Sequence, residues 1–592
     1  MSGDRLDSTI GNSAYFAIYT AMFAFIALLL YVREQNKGWK KFYIIMVVLN
    51  LIALFYTGTR GTQLGIGVGS LVALCAFIFS FAKHKKIVTF ISVLPIVAVV
   101  SALINPNLLN YLYQGATLYA IIVAIAAVFV SRIDHDKEKK IASYFLVFIA
   151  IFALTFTLAK NSDFVKNSSS LSRLANISYA DGTTLSRFTI WKMSYEGWKE
   201  RPLLGYGQDN FGYIFARHFD PIMYGQEPWF DRSHNVFFDW LVAGGILGLL
   251  SYLSLFAIAL YLIFKVKGDL TAKEKALLLG VLVTYFVHNT LVFDNLTSYI
   301  IFFMLLAFIS MRTEGTYMKI EHKNMSEYQA VLEPVAVVLT LVVFWFAVYR
   351  PYEANVLLIR SIDTNRLSQG GKVTIDQIID TQIGTFKEAL ALDGFGSQEI
   401  REQMLSYGAR LAGYNKNLPA VQKFLSETDK VISEAPATDQ QDVRQLSIYG
   451  SYFNAKQDFA NGELYLARAH TLSPKKQLIS FDLINSYIGQ KKYDDVYRVA
   501  LETYLYRPQV TNSAVILAAA SAYNGKEEAT VKIFTDHGQK FPLSIEVINA
   551  YLNIGNVQRA IDLLNQYKSQ NPKDAAQVDA YIKQILDRTS KK

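Results

Sequence analysis

Long apolar runs alternate with short polar connections over the first 350 residues of the chain. A helix needs about 20 apolar residues to cross the hydrocarbon core of a bilayer, and most of these runs have that length. The pattern therefore predicts an all-α polytopic membrane domain over residues 1–350. We expect ten spans, near residues 13–32, 42–57, 62–82, 87–104, 112–131, 141–159, 236–264, 276–293, 299–311 and 331–349.

Positive charge is concentrated in every second connection. The connections at 33–41, 83–86, 132–140, 265–275 and 312–323 hold 18 Lys and Arg against 8 Asp and Glu, which accounts for the net charge of +9. Because Lys- and Arg-rich loops remain in the cytoplasm, we predict a multi-pass protein of the cytoplasmic membrane. The charge thus indicates topology, and we expect no nucleic-acid partner.

This orientation places two large regions and the N-terminus outside the cytoplasm. The first region is a loop at 160–235, and the second is everything after residue 352. Since the external N-terminus carries no signal peptide, we also expect that further spans precede residue 1.

Helical patterns with polar faces replace the apolar runs in residues 353–592. Pro474, Pro508, Pro542 and Pro572 follow one another at intervals of 34, 34 and 30 residues. The period of a tetratricopeptide helix–turn–helix repeat is 34 residues. We predict an α-solenoid of such repeats that binds a protein partner on its concave face or merely supports the membrane domain.

The external loop contains an aromatic-rich segment that predicts a helix. Ser186 is a good N-cap residue, and the helix should end before Pro202. Arg187 would then lie in the first turn, where free N–H groups favour anions such as a diphosphate; contact with lipid phosphate is an equally good interpretation. Four aromatic side chains form one stripe that we expect at the membrane interface, namely Phe188, Trp191, Tyr195 and Trp198.

Two further residues at the predicted outer surface have the chemistry of a transfer site. Arg60 lies in the glycine-flanked turn "TGTRG", where a ligand can approach the backbone. His234 precedes the seventh span, and a neutral imidazole can accept a proton from a hydroxyl. His288 is either a packed polar residue or a second site residue, and Asp239 should bond Asn235. The single cysteine, Cys75, excludes a Cys-based metal site, and we expect neither a metal nor a cofactor.

Three segments together resemble the O-antigen ligase / O-antigen polymerase superfamily over roughly residues 1–310. They are "TGTRG", "SRFTIWKMSYEGWKERPLLGYGQDNF" and "DRSHNVFFDWLVAGGILGLLSYL". The resemblance implies transfer of a glycan from an undecaprenyl-diphosphate carrier to lipid A core, a protein hydroxyl or another glycan. It implies that Arg60 and Arg187 bind the diphosphate and that His234 is the base. We add Trp191 and His288 as candidate substrate-binding residues.

An alternative is a non-enzymatic membrane-anchored tetratricopeptide scaffold for envelope polysaccharide assembly. It gives no reason for Arg60, Arg187 and His234 all to lie on the outer side. A transporter would place ionisable residues at mid-bilayer, which these spans largely lack. The first interpretation predicts as partners a lipid-linked donor, a glycan, protein or lipid acceptor and the bilayer, with a protein on the repeats. The repeat tail slightly favours a protein or polymer acceptor over lipid A core.

Overall fold

The described part of the chain is helical and contains no strand beyond an isolated bridge between Gly268 and Thr313. A computed structural model describes residues 5–78, 112–134, 137–168, 171–172, 175, 182–313, 325–363, 374–392, 394 and 396–589. The expectation of an all-α fold is confirmed for these residues. They form two compact units: residues 1–215 with 230–319, and residues 216–229 with 320–592.

The first unit contains ten helices that we number in chain order, among the described residues. They are α1 Ser13–Arg33, α2 Lys37–Thr57, α3 Arg60–Ile78, α4 Leu112–Asp134, α5 Lys137–Ala159, α6 Gly182–Glu200, α7 Phe211–Arg217, α8 Val236–Lys265, α9 Ala272–Asn289 and α10 Leu296–Met311. A short helix, Asp163–Asn167, precedes α6. The last two residues of α7 belong to the second unit.

Six described helices are long and apolar enough to cross a membrane. Two further apolar helices are shorter, Gln114–Val128 and Leu296–Met311. Large apolar side chains of α2, such as Ile45 and Leu49, are exposed, as lipid-facing residues would be. The described residues therefore support a membrane protein. The expected count of ten spans stays a prediction, and the expected span at 87–104 lies outside the described residues.

A row of glycines allows α3 to lie close against α9. Gly61, Gly65 and Gly69 are spaced by four residues and so share one face of α3. A Cβ added at Gly65 would meet the backbone carbonyl of Thr284, and one at Gly69 would meet that of Gly280. Small residues at this spacing are typical of tightly packed membrane helices. This packing fixes Arg60, the first residue of α3, relative to the end of α9.

Four charged side chains lie together at one end of the first unit, which we call the basic end. Arg33 pairs with the buried carboxylate of Glu274, and Asp269 pairs with Arg312 at 2.9 Å. Glu274 also closes the capping box at the start of α9. Three of the basic connections thus meet at the same end of the helices, as the alternation of charge along the sequence requires.

The second unit is a series of helices whose lengths and spacing agree with successive helix pairs. They are α11 Met325–Phe344, α12 Arg350–Ile362, α13 Ile375–Ala391, α14 Ser397–Asn415, α15 Pro419–Ser433, α16 Val443–Ala455, α17 Phe459–Leu472, α18 Gln477–Gly489, α19 Tyr493–Tyr506, α20 Thr511–Asn524, α21 Glu527–Asp536, α22 Ile545–Asn553, α23 Val557–Gln570 and α24 Ala575–Thr589. A short π-helix, Trp345–Tyr349, joins α11 to α12.

The predicted proline positions fall after the second helix of successive pairs. Pro474 follows α17 and Pro508 follows α19, each two residues after the last helical residue. Gly450 on α16 faces Leu466 on α17, so the two helices pack closely. Paired helices are thus observed, whereas their assignment to the tetratricopeptide class stays a prediction.

Candidate functional site

His234 lies in a short connection that α6 holds in place. The indole N–H of Trp191, which is 5% exposed, donates to the carbonyl of Ser233 at 3.1 Å. The same indole stacks on Phe238 with ring centroids 6.0 Å apart. His234 itself has φ +56°, a left-handed conformation that non-glycine residues seldom adopt. These contacts fix the connection that carries the imidazole.

The residues on either side of His234 are fixed by hydrogen bonds of their own. The Asn235 side chain accepts two backbone N–H groups of α8 as its N-cap and donates to the carbonyl of Thr290 at 3.0 Å. The carboxylate of Asp239 accepts the N–H and the hydroxyl of Ser233, at 2.8 and 2.7 Å. The expected bond between Asp239 and Asn235 is present in the backbone, where the N–H of Asp239 donates to the carbonyl of Asn235 at 2.9 Å. The two side chains do not bond each other, because capping and Thr290 occupy the Asn235 amide.

The helix that carries Arg187 begins earlier than the sequence predicts. Among the described residues α6 starts at Gly182, and the Ser186 hydroxyl donates to the Gly182 carbonyl within the helix. Ser186 is thus not the N-cap, and Arg187 lies in the second turn, beyond the free N–H groups of the first. The argument from the helix N-terminus fails, while the arginine charge itself remains. The end before Pro202 is confirmed.

The aromatic stripe on α6 is divided between two environments. Trp191 is buried against the His234 connection, whereas Tyr195 is 46% exposed and lies beside Trp198. The expectation that all four aromatic residues lie at the interface is therefore wrong for Trp191. A buried indole needs a partner for its N–H, and the Ser233 carbonyl supplies it.

Burial and the Arg187 charge keep the His234 imidazole neutral. Removal from water, followed by the positive charge of Arg187, lowers the pKa of His234 to about 4, and Asp231 offsets this only in part. The ring contacts Phe230 and Phe293 edge-on, with centroids 5.5 and 5.1 Å away. The ordinary pKa of a histidine is near 6.5. A neutral ring nitrogen is therefore present throughout the physiological range.

His288 is fully buried at the end of α9 and joins that helix to α3. Its Nδ1 lies 2.8 Å from the Thr62 hydroxyl. Arg187 lies close enough for its charge to act on His288 as well as on His234. Complete burial favours the packed polar role over direct contact with a substrate. A direct contact of His288 with substrate stays a prediction.

Arg60 starts α3 directly after a turn that several bonds hold. Gly58 ends α2 with φ +58°, and the Thr59 hydroxyl donates to the carbonyl of Ser13 at 3.2 Å. Arg5 donates to the Thr57 carbonyl and to Thr59, a role that the sequence did not reveal. Arg60 thus lies two residues before Thr62, the partner of His288.

The glycine-containing segments after α6 provide hydrogen-bond partners at a break in α8. At Gly245, with φ +62°, the backbone of α8 leaves the helical conformation. The carbonyls of Val242 and Ala243 then accept N–H groups from Tyr206 and Gly207, at 2.8 and 2.9 Å. The N–H of Ile246 in turn binds the carbonyl of Pro202 at 2.8 Å. The "PLLGYG" segment therefore supplies the partners that a broken helix in a membrane protein needs.

Together these contacts bring Arg187, Trp191, His234 and His288 to one end of the first unit. Arg60 is connected to them through Thr62, and its neighbour Gly61 packs on the turn after α9. A neutral base beside guanidinium groups suits a reaction between an anionic donor and a hydroxyl. Among the described residues, no three His, Cys, Asp or Glu side chains lie together as a metal site would require.

Comparison with known proteins concerns this same region. Residues 109–253 match the family model described as O-antigen ligase. No curated protein and no solved structure matches the chain. The O-antigen ligase match includes Arg187, Trp191 and His234, whereas Arg60 and His288 lie outside its bounds. It supports O-antigen ligase-like glycan transfer by a membrane protein in general terms.

Proposed function

We propose that the protein transfers a glycan from an undecaprenyl-diphosphate carrier to an acceptor hydroxyl at the outer face of the cytoplasmic membrane. The observation that carries this proposal is the neutral His234 imidazole beside Arg187, within the segment that matches the O-antigen ligase family. A base, a cationic partner and a fixed connection between them are the parts that such a transfer needs.

In the proposed reaction His234 removes the proton from the acceptor hydroxyl as its oxygen attacks the anomeric carbon. The bond from that carbon to the diphosphate breaks, the lipid diphosphate leaves with the electron pair, and the configuration inverts. Arg187 and Arg60 stabilise the charge on the leaving group, so that no metal is needed. Trp191 positions the His234 connection through its bond to Ser233.

Binding of the anionic donor should also activate the base. In the absence of donor, the Arg187 charge contributes to the low pKa of His234. A diphosphate next to Arg187 would offset this charge and raise the pKa of His234 toward its ordinary value. The imidazole would then become a better proton acceptor only when donor is bound.

The test is a transfer assay with purified full-length protein, an undecaprenyl-diphosphate-linked glycan and a candidate acceptor. We expect product with the wild type, and normal donor binding with strongly reduced transfer in His234→Ala. Full transfer by His234→Ala would contradict the mechanism. The absence of transfer by the wild type would instead favour the alternative, a tetratricopeptide scaffold, for which the paired helices of the second unit are the supporting observation.

The proposed location has its own test. Cys75 is the single cysteine and is buried, so an introduced cysteine is the main reactive thiol. In spheroplasts an impermeant thiol reagent should label Lys475→Cys, in the second unit, and should leave Lys37→Cys unlabelled. The reverse labelling pattern would invert the proposed topology.

A further inference from the structure

Residues 216–229 of the loop that we predict to be external belong to the second unit. Residues up to Phe215 pack in the first unit, residues 216–229 pack among helices of the second, and the chain returns to the first unit at Phe230. His234 follows Trp229 by five residues. The 216–229 segment is therefore a covalent connection between the helices of the second unit, which we call the helical domain, and the candidate base.

Lys476 makes the most unusual contacts with this segment. Its side chain is 1% exposed, and its ammonium lies 4.4 Å from the ring centroid of Phe219 and 4.1 Å from that of Trp229. The ammonium also donates to the carbonyl of Pro228. A cation between two aromatic faces, with a carbonyl acceptor, is a directional arrangement that selects one conformation of the segment.

Further hydrogen bonds join other residues of the segment to the second unit. The Ser473 hydroxyl donates to the Ala216 carbonyl at 2.6 Å, and Arg507 donates to the Pro221 carbonyl at 3.0 Å. Asn512 donates to the Tyr224 hydroxyl at 2.7 Å. The N-terminal and C-terminal parts of the segment are thus both held by helices of the second unit or by the turns between them.

A buried lysine is costly unless the site uses its charge. Removal from water lowers the pKa of Lys476 to about 7. An apolar side chain of similar length would avoid this cost but would lose the Pro228 bond and the attraction to both rings. The neighbouring Lys475 is exposed, whereas Lys476 is buried, so Lys475 provides a matched control.

We propose that Lys476 is a positioning residue for the transfer reaction. By holding residues 216–229 on the helical domain, it fixes the approach of the chain to His234 and so keeps the base in its reactive orientation. The helical domain then has a role in the reaction besides any contact with other proteins. This inference rests on the proposed function of His234.

The experiment compares Lys476→Met, Lys476→Arg and the matched control Lys475→Met in the full-length protein. Hydrogen exchange of residues 216–229 is measured first, because it requires no activity. We expect faster exchange in Lys476→Met alone, with exchange near that of the wild type in Lys476→Arg, which keeps the cation and a donor. Unchanged exchange in Lys476→Met would overturn the proposed contact.

Transfer kinetics then test the positioning role. We expect kcat to fall about 10- to 100-fold in Lys476→Met, with donor binding unchanged and partial recovery in Lys476→Arg. Faster hydrogen exchange of residues 216–229 with an unchanged kcat would overturn the role of Lys476 in positioning. If Lys476→Met does not fold, Arg507→Ala should give the same pattern more weakly, and its failure to do so would also overturn the proposal. A wild type without transfer would refute the proposed function itself, while the exchange data would still decide whether Lys476 holds the segment.

Discussion

The two ends of the first unit differ in the role of their charged side chains. At the basic end, Arg33 and Arg312 are paired with Glu274 and Asp269. At the other end, the bond from Trp191 and the carboxylate of Asp239 hold Ser233, and Arg232 pairs with Asp209. There the Arg187 charge outweighs that of Asp231 in its effect on His234. The ion pairs of the basic end contribute to stability, whereas at the other end the Arg187 charge acts on the candidate base.

At the end of the first unit that contains the candidate site, we expect His234→Ala to have the largest effect on transfer. Loss of a general base typically lowers the rate by about 10² to 10⁴. We expect transfer to fall by this amount while donor binding remains near that of the wild type. The measurement is a steady-state transfer assay beside equilibrium donor binding. His537→Ala, in the second unit, is the matched control and should leave both quantities unchanged.

The next largest effect is expected at Arg187. Arg187→Ala should weaken donor binding about 10- to 100-fold, because a charge-assisted bond to phosphate is lost. Arg187→Lys should restore little, since an ammonium lacks the bidentate geometry of a guanidinium. Binding of a labelled lipid diphosphate provides the measurement, with Arg201→Ala, an exposed arginine directly after α6, as control. Equal binding by Arg187→Lys and the wild type would rule out a bidentate contact.

At the basic end a substitution should alter stability without altering the reaction. Glu274→Gln removes the buried partner of Arg33 and should lower the free energy of unfolding by about 1 to 3 kcal/mol. Lys273→Met breaks an exposed pair with Glu138 and should cost at most about 1 kcal/mol. Thermal unfolding in detergent measures both. A large loss of kcat per folded molecule in Glu274→Gln would show that the two ends are not separable.

Metal removal should have the smallest effect. Because guanidinium groups stabilise the leaving diphosphate in the proposed mechanism, transfer should continue after treatment with EDTA. The comparison is the rate before chelation, after chelation and after addition of Mg²⁺ or Mn²⁺. Abolition by EDTA and recovery with a divalent ion would replace the arginine mechanism with a metal-dependent one.

The sequence predicts the features that depend on composition and period. Apolar runs identify the long helices, and alternating charge anticipates that basic connections meet at one end, as Arg33, Asp269 and Arg312 do. The prolines after α17 and α19 mark helix ends because proline cannot continue a helix. These signals lie within short stretches of the sequence and can therefore be recognised without a structure.

What the sequence does not reveal depends on contacts between distant residues. The bond from Trp191 joins α6 to the connection at Ser233, and the bond between Thr62 and His288 joins α3 to α9. Neither bond has a local signal in the sequence. The low pKa of His234 arises from burial and from Arg187, which is far away in the sequence. Serine is a preferred N-cap residue, yet the residues before Ser186 are already helical, so Ser186 lies inside the helix.

The central claim is that Arg187 helps to keep His234 neutral until an anionic donor binds. The most direct test is the pH dependence of kcat/KM and of kcat in the wild type and in Arg187→Gln. For the wild type we expect the acid limb of kcat/KM near pH 4, because protonation below this pH removes the base, and that of kcat at higher pH, because bound donor offsets Arg187. In Arg187→Gln the acid limb of kcat/KM should move upward. An acid limb near pH 6.5 in the wild type that Arg187→Gln leaves in place would contradict the account.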